Sequence, residues 1–398
     1  MQIYWVWLAL LPGLSLRQKL SLLERYTDPK ALFDLDRHAL LPKEHLEPLL
    51  NKELDKAWRI VRTCQEKGIG ILTFTDSNYP EALRRIDEAP LVLYYRGSVP
   101  CMELQPVIGV VGTRSASPYG LRSAGRLSAQ ISACGGIVAS GGAFGIDSVA
   151  LRCAMENGGK TIAVLAGGLD HMSPISNMPL FEKVLENGCV LSEDPPGTRI
   201  YRTSFLRRNR IISGISKAIL VVEAPKVSGA LNTARWANDQ GRDVFAVPGN
   251  IDMESCAGSN LLIGDIARPA MDGWMILQEY APYYPDTIKK TEITMDEQTL
   301  QMLVTAPEKS SGPEKTHKKI VDKEQKCPYS VMEKPLPALS DQEKAVAALL
   351  TEQPVSMDSL LDQLDLPPAE VMNIVTRLTV KGVAQSHPGN FVSLKCGG

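Results

Sequence analysis

Between residues 107 and 247 the chain alternates short, wholly apolar runs with longer segments whose apolar positions recur at helical spacing. The runs predict strands at Val107–Val111, Ile137–Ser140, Thr161–Leu165, Cys189–Leu191, Ala218–Val222 and Val244–Val247. The segments between them predict helices near Tyr119–Ala133 and over Ile146–Glu156, Met178–Glu186 and Ala230–Asp239. Strands that are apolar at every position need cover on both faces, so the pattern predicts an α/β fold: a Rossmann-like, doubly wound, mostly parallel sheet. In such sheets ligands sit at the carboxyl ends of the strands.

The flanking regions follow other patterns. Residues 1–62 are Leu-rich and helical, punctuated by Pro12-Gly13, Pro29 and Pro42. The core is read as 63–281, with an αβ lead-in whose apolar runs are Ile71–Phe74 and Leu91–Tyr95. Residues 282–337 are rich in Lys and Glu and predict a flexible linker. Residues 338–398 read as three short helices and a two-stranded wing around Pro388-Gly389, a winged helix. Its recognition helix, Pro368–Lys381, has only Arg377 and Lys381 as cations, with Asp362, Asp365 and Glu370 close by. That composition favours a protein contact or an accessory DNA role over reading duplex base edges.

Composition narrows the classes. A chain of 398 residues exceeds one ordinary core and predicts two to four domains. Its formal charge of −2 excludes a globally basic protein, so nucleic-acid binding would need a local patch. The eight cysteines are scattered without a CxxC pair, which predicts reduced thiols, a cytoplasmic protein and no zinc site. Met1–Leu16 lacks a basic n-region and is broken by Pro12-Gly13, so it reads as a core helix, not a signal peptide or membrane span.

The most informative stretch is Ser204–Ser213, just ahead of the Ala218 strand. Phe205, Arg207, Arg208, Asn209 and Arg210 place an aromatic face beside guanidinium and amide donors, as a nucleic-acid clamp requires. From Pro195 to Val222 there are five arginines, one lysine and no acid. The alternative is a solvated helix start whose arginines pair with distant carboxylates.

Two glycine-rich turns accompany it. Gly112, Arg114 and Ser115 follow the first strand, where backbone N–H groups, a helix dipole and a guanidinium could meet one phosphate. Capping alone would also explain Ser115 or Ser117. Gly141 and Gly142 follow the second strand without the GxGxxG spacing of a dinucleotide site, and Asp147 could cap the next helix. After the fifth strand, Lys226 and Ser228 suit phosphate contact, while Glu223 is read as pairing with an arginine or capping a loop.

Enzyme motifs find little support. Gly158-Gly159-Lys160-Thr161 runs from helix into strand, the reverse of a P-loop, and Asp170-His171 with Ser173 lacks a nucleophile elbow. No catalytic set, cofactor or metal is expected. Two alternatives stay open: a nucleotide-processing Rossmann enzyme of the phosphoribohydrolase kind that uses Glu223, and a winged-helix transcription regulator acting through residues 339–394.

Taken together, Gly112-Thr113-Arg114, Ser140–Ala143 with Gly145-Ile146-Asp147, Phe205 with Arg208–Arg210, Val221–Ala224 with Ser228-Gly229, and Val244–Gly249 resemble the DNA-processing protein A (DprA/Smf) family. The resemblance covers about Tyr79–Leu262 and departs from the family pattern at Asp170–Pro174, Leu206 and Gly264–Pro269. It implies a helical SAM-like domain before the core and a winged helix after it. It also implies a non-catalytic, cytoplasmic single-stranded DNA binder that protects incoming DNA and loads the RecA recombinase in natural transformation. By position, Arg114 and Ser115 would contact the backbone, Gly141 and Gly142 would allow close approach, and Phe205, Arg208–Arg210 and Lys226 would hold the strand. A homodimer through the core is a further implication.

Overall fold

The computed structural model describes residues 2–293 and 296–305 and, of the C-terminal region, 346, 349–350, 355–356, 359–360, 364, 371, 373–375, 378, 384–387 and 391–394. It divides into a unit of residues 1–313 and a unit of residues 314–398.

The N-terminal helices are α1 (Gln2–Leu10), α2 (Leu16–Tyr26), α3 (Pro29–Phe33), α4 (Lys43–Leu49) and α5 (Asp55–Glu66). A capping box starts α2: the Gln18 N–H donates to Ser15 Oγ at 3.3 Å, and the Ser15 N–H donates to Gln18 Oε1 at 2.8 Å. Trp5, Leu8 and Ile60 cluster with Ile71 and Tyr94 of the sheet edge. Residue 62 itself lies inside α5, and one core runs from these helices into the sheet edge.

The lead-in supplies β1 (Gly70–Thr73), α6 (Glu81–Arg84) and β2 (Val92–Gly97). The core continues with β3 (Val107–Val111), α7 (Pro118–Ala133), β4 (Ile137–Ser140), α8 (Ile146–Glu156), β5 (Thr161–Val164), α9 (Met178–Asn187) and β6 (Gly188–Ser192). Then come α10 (Arg202–Ile215), β7 (Ala218–Val221), α11 (Gly229–Asp239), β8 (Asp243–Ala246), α12 (Ala257–Ile263), β9 (Arg268–Pro269) and α13 (Gly273–Leu277). The nine strands form one sheet in the order β1-β2-β6-β5-β4-β3-β7-β8-β9. Strands β3–β9 are mutually parallel, and β2 joins β6 antiparallel.

Alternation along each strand feeds two cores. Ile108 and Val110 of β3, with Ala218 and Leu220 of β7, join Leu127, Ile131 and Val149 under α7 and α8. Val107 and Val111, with Ile219 and Val221, join Ile212 and Ala234 under α10 and α11. Cover on both faces is why every residue of β3 and β7 is buried. From β3 the chain builds β4, β5 and β6 on one side, then returns to place β7, β8 and β9 on the other. The switch point of the winding therefore lies between the carboxyl ends of β3 and β7.

The stretch read as linker is in part packed structure. Ile288 is buried, the Lys289 N–H donates to the Cys134 carbonyl at 3.2 Å, and α14 (Glu297–Thr305) buries Leu300 and Val304 in the α7/α8 core. Ile288, Leu300 and Val304 supply an apolar stripe that the surrounding Lys and Glu obscure in composition. Residues 306–337 of that expectation lie outside the described residues.

In the C-terminal unit, β10 (Val355–Ser356), β11 (Ala384–His387) and β12 (Phe391–Leu394) form an antiparallel sheet ordered β10-β12-β11. Leu360, Val371, Ile374 and Leu378 pack with Val392 in its core. The wing turn at Pro388-Gly389, and Arg377 and Lys381, lie outside the described residues. Among the described residues no helix is long and apolar enough to cross a membrane.

Candidate functional site

A cleft of about 440 Å³ opens at the switch point. The β3 turn contributes Gly112, Thr113, Arg114 and Ser115; α10 contributes Arg202, Phe205, Leu206, Arg208, Asn209 and Ile212; the turn after β7 contributes Val227, Ser228 and Gly229; Ala143 and Asp147 close it from the β4 side.

The arginine run lies inside α10, and this decides what each side chain can reach. Arg202, Phe205, Leu206, Asn209 and Ile212 fall at helical spacing and line the cleft. At the mouth, the exposed Arg114 guanidinium stands 5.2 Å above the Phe205 ring, a cation–π pair whose two members line the same opening. Arg207 and Arg210 lie outside the cleft lining and meet the acids that close β6. Arg207 pairs with Asp194 and, at 3.6 Å, with Glu193, while Arg210, 2% exposed, pairs with Glu193 at 2.7 Å and Glu88 at 3.9 Å. The run with no acid in it thus finds its acids in the residues just before it, and Arg210 has no surface to offer a phosphate.

Arg208 is also buried, at the floor of the cleft. It donates to the carbonyls of Gly141, at 2.8 Å, and Val164, so one guanidinium ties α10 to the ends of β4 and β5. Burial lowers it to about 10, with Asp147 supporting its charge and Arg114 opposing it. Asp147, in the first turn of α8, is pushed up to about 6 by burial, against the pull of Arg208, the Ala143 amide, the Ser140 hydroxyl and Arg114. Gly141 stands between the two: a Cβ there would lie 2.6 Å from an Arg208 nitrogen and 2.7 Å from an Asp147 oxygen. Its missing side chain makes room for the protein's own charged pair. Gly142 faces Phe181 and Leu165, away from the cleft.

The helix end after β3 is occupied as well. The α7 N-terminus, expected to face a phosphate, receives the fully buried Glu223 carboxylate. The Ser117 N–H donates to both Glu223 oxygens at 3.2 Å, and the Ser117 hydroxyl donates to Oε2 at 2.8 Å. Ser117 Oγ in turn accepts the Gly120 N–H at 3.1 Å, and a Cβ at Gly120 would overlap Oε2. An internal anion thus takes the dipole site that doubly wound proteins commonly give to ligand phosphates. The loop-capping role read for Glu223 is the observed one.

The remaining predicted residues divide. Ser115 is exposed in the cleft wall. Ser228 lines the cleft and caps α11, accepting the Ala230 N–H at 3.2 Å. Lys226 is exposed on the adjoining turn, outside the lining. Two cleft residues escaped sequence reasoning: Arg202, exposed and one helical turn before Phe205, and Asp147 as a cleft acid. Helical periodicity through Phe205 would have found the first. Among the described residues no group of three or more His, Cys, Asp or Glu could hold a metal ion.

A doubly wound sheet with an open switch-point cleft, edged by guanidinium and an aromatic ring, places the core in the Rossmann-like class. The chain belongs to the DNA recombination-mediator protein A family, whose model matches residues 70–281, and the DprA winged helix domain matches residues 331–390. Protein Smf of Synechocystis sp. is 43% identical over 202 residues, 50% of this chain and 51% of that protein, so the match spans about half the relative's length. The DNA processing protein DprA of Bacillus subtilis is 35% identical over 221 residues, 56% of this chain and 74% of that protein. The crystal structure of DNA processing protein A from Streptococcus pneumoniae superposes with a TM-score of 0.61 at 31% identity, covering 70% of this chain and 98% of that one.

Proposed function

We propose that the switch-point cleft holds single-stranded DNA and that the chain acts as a non-catalytic recombination mediator. The observation that carries this reading is the Arg114–Phe205 pair at the cleft mouth. A guanidinium stacked on a ring offers a phosphate contact and an aromatic partner for an unstacked base in one place, which suits a strand whose bases are free and does not suit duplex DNA, whose bases are already stacked. Arg202, Ser115 and Ser228 extend the backbone track, with Lys226 beside it. In this reading Arg208 and Arg210 support the site without touching DNA, which revises their expected role. The buried Glu223 speaks against the nucleotide-enzyme alternative, because it caps α7 and does not line the cleft.

Membership of a recombination-mediator family supports the remaining assignments: protection of incoming strands, delivery to the RecA recombinase during natural transformation, homodimerisation through the core, and work in the cytoplasm. The test is competition. A labelled single strand bound to the full chain is displaced by unlabelled single strands of unrelated sequence and resists the equivalent duplex. Preferential displacement by one duplex sequence would transfer the reading to a winged-helix regulator.

A further inference from the structure

A second cavity, of about 240 Å³, lies at the opposite ends of the same strands, where Val107 opens β3 and Lys217 precedes β7. Arg85, Lys217 and Arg242 line it together with Glu81 and Glu103. Of the two carboxylates, Glu81 is ion-paired and Glu103 meets neutral donors. Glu81 pairs with Arg84 at 2.5 Å and Arg85 at 3.1 Å, one oxygen to each. Glu103 accepts the Glu81 N–H at 3.3 Å and the Cys101 thiol at 3.6 Å. Arg242 donates only to carbonyls, those of Ala82 at 2.7 Å and Gly214 at 3.2 Å. Among the described residues neither Lys217 nor Arg242 is in an ion pair with a carboxylate.

Two half-buried cations thus stand beside a third, and Glu103 is the carboxylate in the cavity that offsets the charge on Lys217. Burial, then Arg242 and Arg85, hold Lys217 below the usual amine range against the pull of Glu103; burial, then Arg85, lowers Arg242 against Tyr280. A cavity that concentrates positive charge at a cost to the folded chain has the character of a site whose anion arrives from outside. It is smaller than the roughly 300–1,000 Å³ of sites for drug-sized ligands. A guanidinium fork beside an ammonium point charge suits a compact tetrahedral oxyanion.

We propose that this cavity binds a small phosphoryl anion between Lys217, Arg242 and Arg85, separately from the DNA cleft. The group could belong to a free phosphate compound or to the end of a nucleic acid; the cavity size favours the former.

The test titrates pyrophosphate into the full chain at fixed ionic strength, read by thermal unfolding and calorimetry. The wild type shows a saturable rise in Tm that chloride does not reproduce. Lys217→Met weakens binding by about tenfold or more, and Arg114→Ala leaves it unchanged. Lys217→Glu supplies Arg242 with the missing counter-charge, so it raises Tm without pyrophosphate and abolishes the response. Competition by a 5′-phosphorylated trinucleotide, lost in Lys217→Met, would assign the phosphoryl group to a nucleic-acid end; failure to compete assigns it to a free phosphate compound. The proposal is overturned by an unsaturable response, by equal responses in wild type and both Lys217 variants, or by a response lost in Arg114→Ala.

Discussion

Glu223 and Ser117 are joined three times, by two hydrogen bonds of 3.2 Å from the Ser117 N–H and one of 2.8 Å from its hydroxyl. This contact clamps the β7 end to the start of α7 and settles the electrostatics of the switch point from within. Glu223→Gln keeps the shape but loses the charge and puts an amide donor against a donor, so unfolding stability falls by about 1–3 kcal/mol. Single-strand affinity stays within about threefold, since the carboxylate does not face the cleft. Denaturant titration and strand binding on the same samples check both halves. Nucleoside monophosphate hydrolysis that disappears in this variant would restore the enzyme reading.

Arg208 predicts the opposite of a surface cation. Arg208→Met removes the tie to the Gly141 and Val164 carbonyls and leaves Asp147 buried without its main counter-charge, a loss of about 1–3 kcal/mol. Adding Asp147→Asn recovers part of it, because the stranded carboxylate is gone. A double-mutant cycle by chemical denaturation measures the coupling. Additive losses would show that the two residues act independently.

Phe205 is read as a stacking face. Phe205→Leu keeps an apolar contact and removes the ring, so affinity for single strands falls by about 1–3 kcal/mol. The loss is shared with Arg114, which loses the ring it stands on. Arg114→Ala and Phe205→Leu should therefore combine to less than their sum in a fluorescence-anisotropy cycle.

Asp147 introduces a pH dependence with a defined sign. Its folded value, about 6, lies above the ordinary 3.8, so the native state binds the extra proton between those values. Stability contributed by this group is present at low pH and is lost as pH rises through about 6. Protonation also removes a negative charge from the cleft, so single strands bind more tightly as pH falls from 7 to 5.5. In Asp147→Asn both dependences flatten, which parallel melting and binding series across that range would register.

How much of this was legible follows the length scale of each signal. The strands and most helices of the core stood out because each is an unbroken apolar run or a strong 3.6-residue pattern, and the turns after β3, β4 and β7 followed from them. The arginine run reads in sequence as a linear patch, and the helix distributes it over different faces. Within α10, Arg202 and Phe205 share the cleft face while Arg207 and Arg210 meet Glu193 and Asp194. Composition counted charges within 195–222 and so missed partners placed a few residues earlier. Ser117 and Glu223 are 106 residues apart, and only the β3–β7 pairing brings them together, so a filled helix dipole resembled a vacant one. The packing of Ile288, Leu300 and Val304 is hidden similarly, these apolar positions being too sparse to register until α7 and α8 supply the surface they cover.

The central claim is that Arg114 touches the DNA backbone while Arg210 does not, and the salt dependence of single-strand binding tests it most directly. The logarithmic slope of affinity against salt should shrink by about 0.7 in Arg114→Ala, one phosphate contact, equally on unrelated sequences. Arg210→Met should lower stability and leave the slope of the folded protein unchanged. A slope unaffected by Arg114→Ala, or reduced instead by Arg210→Met, would contradict the account.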